Sequence, residues 1–187
     1  MVKRSRTLAA LAALVLLATV PAAASTFVAM SPGEMIQQAD AVVVGEVLRV
    51  ESFRDSTGRA IVSQATIRVE ETVTGESPSV VIVETFGGTV DSYTVVAHGF
   101  PTFAEGDRVL VFLDEREDGV AEVVGYRLGQ YRVLTNRFGQ EIAVPTLEAN
   151  VTLLRPEGGE AVRPQALPLS TFKTMIQREA QRLQRGF

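Results

Sequence analysis

The chain is built from short apolar runs of strand length, which turn residues separate at close intervals. These runs cover residues 41–50, 61–73, 80–86, 89–97, 108–114, 120–126, 130–135 and 141–144. Gly, Pro, Asp and Asn cluster between them, as is typical of turns. No long helical pattern interrupts them, although parallel strands need a crossover connection that usually contains a helix. The pattern therefore predicts a mainly β fold of seven or eight antiparallel strands, arranged as a barrel or a sandwich.

Alternation of apolar and polar residues predicts which side chains form the core. Within residues 61–73, Ile67 and Val69 alternate with Arg68 and Glu70, as in a strand with one buried face. Residues 80–86 are more uniformly apolar, and we expect that strand to be largely buried. The side chains expected in the core are Val42, Val44, Ile67, Val69, Ile82, Val109, Val111, Leu113 and Val133.

A short helix is expected before the first long strand. Ser31 is a candidate N-cap, Pro32 fits the first helical position, and Glu34 has the spacing of a capping box. The apolar residues that follow are too few for a helix that is stable alone. We therefore expect this helix to pack against the strands.

A second, amphipathic helix is expected at residues 169–187, with Ser170 as its candidate N-cap. Its apolar stripe contains Phe172, Met175, Ile176, Ala180 and Leu183. Residues 155–168 contain three Pro and two Gly, which predicts a linker or a strapping loop. We expect the helix to dock on the strands. Because its other face is basic, binding to a membrane surface is the alternative.

The first 24 residues have the pattern of a secretory signal peptide. Three basic residues precede an uncharged, mostly apolar run at residues 8–20, and Ala22 and Ala24 form a small-x-small cleavage site. The run is shorter than the roughly twenty residues that span a membrane, and an uncleaved anchor is the alternative. We predict cleavage before Ser25 and export to the periplasm or the extracellular space, with residues 25–154 forming the β-barrel domain.

The mature chain is acidic and contains no cysteine. Without the three basic residues of the signal, 15 Lys and Arg remain against 22 Asp and Glu, which gives a net charge of −7. Nucleic acids attract basic surfaces, so we expect no nucleic-acid partner. The lack of cysteine excludes disulfides and thiol catalysis.

Few residues combine into a pattern typical of catalysis or of cofactor binding. His98 is the single histidine, which excludes a zinc site of three histidines. The acidic residues around Asp118 lack the spacing of a calcium loop, and we expect them at a solvated hairpin tip. We therefore predict no cofactor, no metal and no catalytic site. A hydrolase using Glu84 and Asp91 is the alternative, and Tyr126 and Tyr131 are candidates for a binding face.

Three stretches of sequence together resemble a known family. Residues 39–47 read ADAVVVGEV, residues 69–75 read VEETVTG, and residues 103–113 read FAEGDRVLVFL. They resemble uncharacterised secreted bacterial proteins related to the netrin-like, or tissue-inhibitor-of-metalloproteinase-like, domains. The resemblance covers residues 25–144. It implies an antiparallel, OB-like Greek-key β-barrel of five strands, flanked by helices.

The resemblance also indicates the mature N-terminus as a partner-binding segment. Family inhibitors begin with Cys-x-Cys, whose terminal amine and carbonyl bind the zinc of a protease. Both cysteines are missing at the matching positions, so a disulfide-anchored inhibitory ridge is not implied. We expect the partner to contact Ser25, Thr26, Phe27 and Val28.

The function that these observations predict is that of a secreted, non-enzymatic binding module. Its partner would be another secreted or envelope protein, with an extracellular protease as the leading candidate. A structural component of the cell envelope is the remaining alternative.

Overall fold

The computed structural model describes residues 26–148, 151–159 and 161–186. The predicted signal peptide, residues 1–24, and Ser25 lie outside the described residues. The strands are β1 (Thr26–Val28), β2 (Ala41–Arg54), β3 (Ile61–Gly75), β4 (Val80–Phe86), β5 (Gly88–Val90), β6 (Tyr93–Val95), β7 (Arg108–Glu115), β8 (Val120–Val123), β9 (Gln130–Thr135), β10 (Glu141–Pro145), β11 (Thr152–Leu154) and β12 (Leu167–Pro168). Helix α1 spans Pro32–Gln38, a 3₁₀ helix spans Tyr126–Gly129, and helix α2 spans Leu169–Arg185. The predicted mainly β fold with a short early helix and a C-terminal helix is confirmed.

Eight strands form the main sheet, in the order β12-β10-β9-β7-β2-β3-β4-β8. Neighbouring strands in it are antiparallel except β4 and β8, which are parallel. The β4–β8 contact is short, with Ile82 opposite Val120 and Val83 opposite Ala121. Strand β8 also pairs with β7, in antiparallel orientation. The described pairing is therefore mostly antiparallel, as expected, and the exceptions are β4 with β8 and β1 with β11.

Two apolar clusters lie on opposite faces of β2 and β7. The helix-side cluster contains Val42, Leu110 and Phe112 from the strands and packs against α1 and α2. The inner cluster consists of residues from β2, β3, β4, β7 and β8, including Val43 and Val111. Both faces of β2 and β7 are therefore buried, which explains why their sequences are almost continuously apolar.

The predicted core is correct except on β4. Seven of the nine expected side chains are buried and Val69 is partly buried, but Ile82 is 40 % exposed. Val81 and Val83 occupy the inner cluster instead. The strand is half-exposed rather than largely buried, because successive side chains point to opposite faces and Ile82 lies on the outer one.

The two helix starts differ in their capping. At α1 the predicted capping box is present: the Ser31 hydroxyl accepts from the Glu34 amide (3.2 Å), and the Ser31 amide donates to the Glu34 carboxylate (2.7 Å). Ser170 does not cap α2, since that helix begins at Leu169 without a side-chain cap. Leu167 and Pro168, directly before the helix, pair with β10. The start of α2 is therefore positioned by strand pairing rather than by a side-chain cap.

Helix α2 docks on the sheet through its apolar stripe. Phe172 and Ile176 are buried in the helix-side cluster, and the Phe172 ring lies 4.6 Å from that of Tyr131. Met175, which the stripe was expected to include, is 49 % exposed. In the described part of the chain no helix combines the length and the apolar character needed to cross a membrane.

The segment between the strands and α2, residues 155–168, is tied to the body of the protein. Its last two residues form β12. The Arg163 guanidinium donates to the carbonyl oxygens of Glu148 (2.6 Å) and Val151 (2.5 Å). The segment therefore straps the chain across the β11 region rather than hanging free.

Candidate functional site

The predicted partner-binding residues lie on β1, at the edge of the described structure. Strand β1 contains Thr26, Phe27 and Val28 and pairs in parallel with β11. Phe27 is partly buried against the helix-side cluster, and its ring contacts Gly99 so closely that a Cβ there would lie 1.8 Å from Cζ. Val28 is 62 % exposed. In β1 the Val28 side chain is therefore exposed, whereas the Phe27 side chain packs against the protein.

A groove of about 550 Å³ runs beside β1, and we call it the β1 groove. Apolar and acidic side chains line it together, including Phe27, Val28, Tyr126, Glu34, Asp114 and Glu122. Strand β1 therefore forms one wall of a concave surface, and acidic residues from α1, β7 and β8 form part of the remainder.

A smaller cavity of about 140 Å³, the aromatic cavity, lies where β4 and β8 separate after their two paired residues. The rings of Phe86, Phe100 and Tyr126 line it. Ring centroids are 5.1 Å apart for Phe86–Phe100 and 4.9 Å apart for Phe100–Tyr126, both edge-to-face. Phe86 is 52 % and Tyr126 51 % exposed. These aromatics form a continuous row at the surface instead of packing in the core.

The two depressions adjoin each other. Glu122, Val123 and Tyr126 line both of them. We call the combined surface of β1 groove and aromatic cavity the seam face. It brings together the predicted β1 residues and one of the two tyrosines expected at a binding face; the other, Tyr131, is buried.

The loop that carries Phe100 is held by a nearly buried arginine. The Arg127 side chain donates to the Phe100 carbonyl (2.8 Å), the Thr102 hydroxyl (3.0 Å) and the Glu148 carboxylate (3.0 Å), and its amide donates to the Gly99 carbonyl (3.0 Å). Buried Gln130 adds a hydrogen bond to the Thr102 carbonyl (2.7 Å). Hydrogen bonds to a charged group are the stronger ones, so these contacts hold the loop that carries Phe100 in place.

Tyr126 has a backbone conformation that is unusual for a large residue. Its φ is 56°, and the preceding Gly125 has φ 68°. A left-handed conformation costs a non-glycine residue roughly 1–3 kcal/mol, and such strain is found disproportionately at functional sites. Tyr126 is also exposed, so the strain is not explained by burial of its ring.

The acidic residues next to the cavity share a single cation. Arg116 forms ion pairs with Asp118 (2.6 Å), Glu84 (2.8 Å) and Glu122 (3.2 Å). Hydrogen bonds to these carboxylates, Asp118 first, hold the pKa of Arg116 above its ordinary value. As the sequence predicts, Asp118 lies at the tip of the β7–β8 hairpin, and Glu122 lies on β8 beside it, whereas Glu84 comes from β4. Glu84 is engaged in an ion pair, and Asp91 lies in the β5–β6 turn with φ 54°.

Asp114, in the β1 groove, lies in a locally negative environment. Burial raises the pKa of its carboxyl, and the charges of Asp40 and Glu122 raise it further. A carboxyl with a raised pKa is one whose ionised form is poorly compensated. The negative charges that line the groove are therefore poorly compensated around Asp114.

The remaining residues that the sequence singled out have structural contacts. His98 lies in a loop, with Nδ1 3.4 Å from the Glu148 carboxylate that Arg127 also binds. Gly88 sits so close to β2 and β3 that a Cβ would lie 2.3 Å from the hydroxyl oxygens of Ser52 and Ser63. Among the residues described by the structure, no group of three His, Asp or Glu side chains is placed to hold a metal ion.

No protein-family model matches the chain, and no curated protein matches its sequence. The site is therefore defined by its geometry. Sequence reasoning missed Phe86 and Phe100, because one ends β4, the other lies in the loop before β7, and no local pattern links them to Tyr126. The Gly-Tyr pair at Gly125 was the one local signal, since glycine often precedes a strained turn.

Proposed function

We propose that this protein is an exported, non-enzymatic binding module that contacts another protein through the seam face. The observation that carries the proposal is a row of three aromatic rings at the surface, in which the partly buried Phe100 lies between the exposed Phe86 and Tyr126. Exposed aromatics on a fixed backbone lose little conformational entropy on binding and are the residues that dominate protein interfaces. The row adjoins the groove beside Phe27 and Val28, the segment that the sequence assigns to partner contact.

The proposal includes an OB-type barrel as the scaffold. In chain order β7 returns to lie beside β2, which gives the Greek-key order β7-β2-β3-β4. The contacts of β8 with both β4 and β7 support closure of a five-stranded barrel. OB barrels are partly open and bind ligands on a strand face and its adjoining loops, and the seam face lies where β4 and β8 separate.

The partner is proposed to be a secreted or envelope protein. The predicted signal peptide supports export, and the netrin-like resemblance makes an extracellular protease the leading candidate. Fold analogy alone says little about activity, so the partner has to be identified by contact.

Site-specific photocrosslinking tests the proposal. A photoreactive phenylalanine analogue replaces Val28 or Tyr126 in the exported protein, and Phe138, which is 72 % exposed on the β9–β10 turn, is the matched control position. We expect an adduct with another exported protein from positions 28 and 126 but not from position 138. Equal adducts from all three positions, or none from any, would overturn the proposal.

A direct assay tests the protease candidate. The purified mature protein is added in excess to the proteases of the same culture supernatant. Loss of peptide hydrolysis that grows with the amount of intact protein added, and that the Tyr126→Gly variant does not cause, supports a protease as the partner. Unchanged hydrolysis at every concentration would remove the protease from consideration while leaving the crosslinking result to stand.

A further inference from the structure

We propose that the seam face binds an extended segment in which large apolar side chains alternate with basic ones. The inference rests on the proposed function and names the chemistry of the partner's segment. It draws on three features of the seam face: the size of the aromatic cavity, the sign of its charges and the continuity of its two depressions.

The aromatic cavity fits one large apolar side chain. Its volume is about 140 Å³, and an apolar cavity of about 150 Å³ accommodates a benzene molecule. Phe86, Phe100 and Tyr126 already interact edge-to-face, and a further ring inserted among them would reach the same favourable geometry at centroid separations of 4.5–7 Å. The cavity therefore selects an aromatic or a long aliphatic residue.

The charged residues that line the two depressions are all acidic. Glu84 lines the aromatic cavity, Glu34 and Asp114 line the β1 groove, and Glu122 lines both. Within the described ranges neither depression is lined by Lys, Arg or His. Arg116 is already shared among three carboxylates. The surface is therefore complementary to added positive charge.

Arginine suits this surface better than lysine. Its planar guanidinium binds carboxylates in a bidentate manner and also stacks on aromatic rings. Asp114 and Glu122 offer carboxylates within reach of the exposed Tyr126 ring, since all three line the β1 groove. A guanidinium placed there would gain both contacts at once.

The continuity of the two depressions implies an extended segment. Tyr126 lies between them and contributes to both. In an extended chain successive side chains point to opposite sides, so alternating residues separate into an apolar set and a basic set. One set fills the aromatic cavity and the apolar part of the groove, and the other reaches the acidic residues.

The chain's own apolar-basic turn cannot occupy its own seam face. Phe138 is 72 % exposed, and the Arg137 guanidinium lies 4.7 Å from its ring. The turn lies beside Glu141. Arg108 forms ion pairs with both Glu141 and Glu70, so the turn lies near the Glu70 end of β3. Val62, on the same strand, lines the aromatic cavity. Eight residues of strand separate Val62 from Glu70, or roughly 26 Å at about 3.3 Å per residue. This turn is therefore too far away to reach the seam face of its own molecule.

Binding of labelled synthetic peptides tests the inference. The probes are acetyl-Gly-Arg-Phe-Arg-Leu-Arg-Gly-amide, the same peptide with Glu in place of Arg, and the same peptide with Ala in place of Phe and Leu. Fluorescence anisotropy with the intact mature protein measures Kd at low and high salt. We expect the first probe to bind at least tenfold more tightly than either of the others, with affinity falling as salt rises.

Matched variants assign that binding to the seam face. Tyr126→Gly removes the ring and suits the left-handed backbone, so we expect a tenfold or greater loss with a normal circular dichroism spectrum. The control is Tyr93→Ala, an exposed tyrosine on the β5–β6 hairpin. The double variant Asp114→Asn with Glu122→Gln should weaken the dependence of peptide affinity on salt. The control for charge is Glu117→Gln, also on the β7–β8 hairpin, which should leave that dependence unchanged.

The outcomes separate this inference from the proposed function. Equal affinity for the basic and acidic probes, or binding unaffected by Tyr126→Gly, would overturn the inference. A crosslinked partner whose contacting segment is acidic would also overturn it while leaving the proposed function intact. Analytical sedimentation tests whether a second copy of the chain is the occupant. If the intact protein self-associates, and Tyr126→Gly and Phe138→Ala each abolish that association, a second copy is the occupant and the assignment to a partner protein is overturned.

Discussion

Tyr126 combines an exposed aromatic ring with a left-handed backbone, and both properties serve the seam face. With φ 56°, the chain turns sharply after β8, and the ring packs edge-to-face against Phe100. Arg127, the next residue, holds the opposing loop through three hydrogen bonds, to Gly99, Phe100 and Thr102. A fourth joins it to Glu148. One tight turn thus positions both walls of the aromatic cavity.

The strain at Tyr126 predicts an inverted order of stability for two substitutions. Both Tyr126→Ala and Tyr126→Gly remove the ring, but only glycine adopts positive φ without steric cost. We expect the glycine variant to be more stable than the alanine variant by about 1 kcal/mol. Urea unfolding of the two proteins measures the difference. A more stable alanine variant would show that the conformation is not strained.

Tyr131 predicts a pH dependence at the alkaline end. It is buried between the sheet and α2, and that burial raises its pKa to about 12. The unfolded chain ionises this phenol near pH 10. The folded state therefore binds the extra proton between these values, and stability falls as the pH rises from about 10 to about 12.

The measurement for Tyr131 is a spectrophotometric titration of the phenolate absorbance. The intact protein should show one ionisation step at about pH 12 that Tyr131→Phe abolishes. Across the same pH range, the unfolding free energy of the variant should decline less steeply. Tyr93 and Tyr126 contribute absorbance to both proteins, so the difference between the two titrations reports Tyr131. A difference that develops near pH 10 instead of pH 12 would mean that Tyr131 is accessible to water.

At the scale of elements, helix α2 is attached by one narrow stripe. Its buried residues are Leu169, Phe172, Ile176 and Ala180. Spacings of three and four residues place them on one face. The opposite face meets solvent, and Lys173 at the border forms an ion pair with Glu71 on β3 (2.5 Å). Docking on the sheet thus accounts for the amphipathic pattern without a membrane.

The apolar stripe predicts that two truncations on α2 lower the free energy of unfolding by different amounts. Phe172→Ala removes a ring packed on Tyr131 and Phe112, and we expect a loss of about 3–5 kcal/mol. Met175→Ala removes a half-exposed side chain, and we expect a loss below about 1 kcal/mol. Thermal or urea unfolding of both variants measures the costs. Similar costs for the two would mean that α2 packs differently.

At the scale of the whole molecule, β2 and β7 join the two apolar clusters. Each contributes alternate residues to the helix-side cluster and to the inner cluster. A strand cannot leave one cluster while remaining packed in the other. The helices and the strands are therefore mechanically coupled through the same two elements.

This coupling predicts a single unfolding transition. Tyrosine fluorescence includes Tyr131 in the helix-side cluster, and no tryptophan obscures it. Far-ultraviolet circular dichroism follows the strands. We expect the two signals to give coincident urea transitions. A fluorescence transition that precedes the circular dichroism transition would show that α2 and its cluster unfold separately.

The sequence by itself determined the features that depend on near neighbours. Turn residues and apolar alternation located the longer strands, and the Ser31–Glu34 spacing determined the capping box. These predictions are correct because steric preference and side-chain periodicity act over a few residues. Residues 89–97, expected as one strand, instead form the β5–β6 hairpin, and the short strands β1, β11 and β12 were not predicted. Where four apolar residues follow one another at the start of β4, alternation carries no information, and only packing decided that Val81 and Val83 face inward while Ile82 faces out.

The tertiary structure alone decided the candidate site. Phe86 ends β4, Phe100 lies in the loop before β7, and Tyr126 begins the 3₁₀ helix after β8. Their meeting depends on long-range pairing, which places β4, β8 and that loop. The same holds for Arg127, whose partners lie about 20 residues or more away along the chain. Local sequence encodes local conformation, but convergence of distant side chains arises only when the strands pair and the two clusters pack.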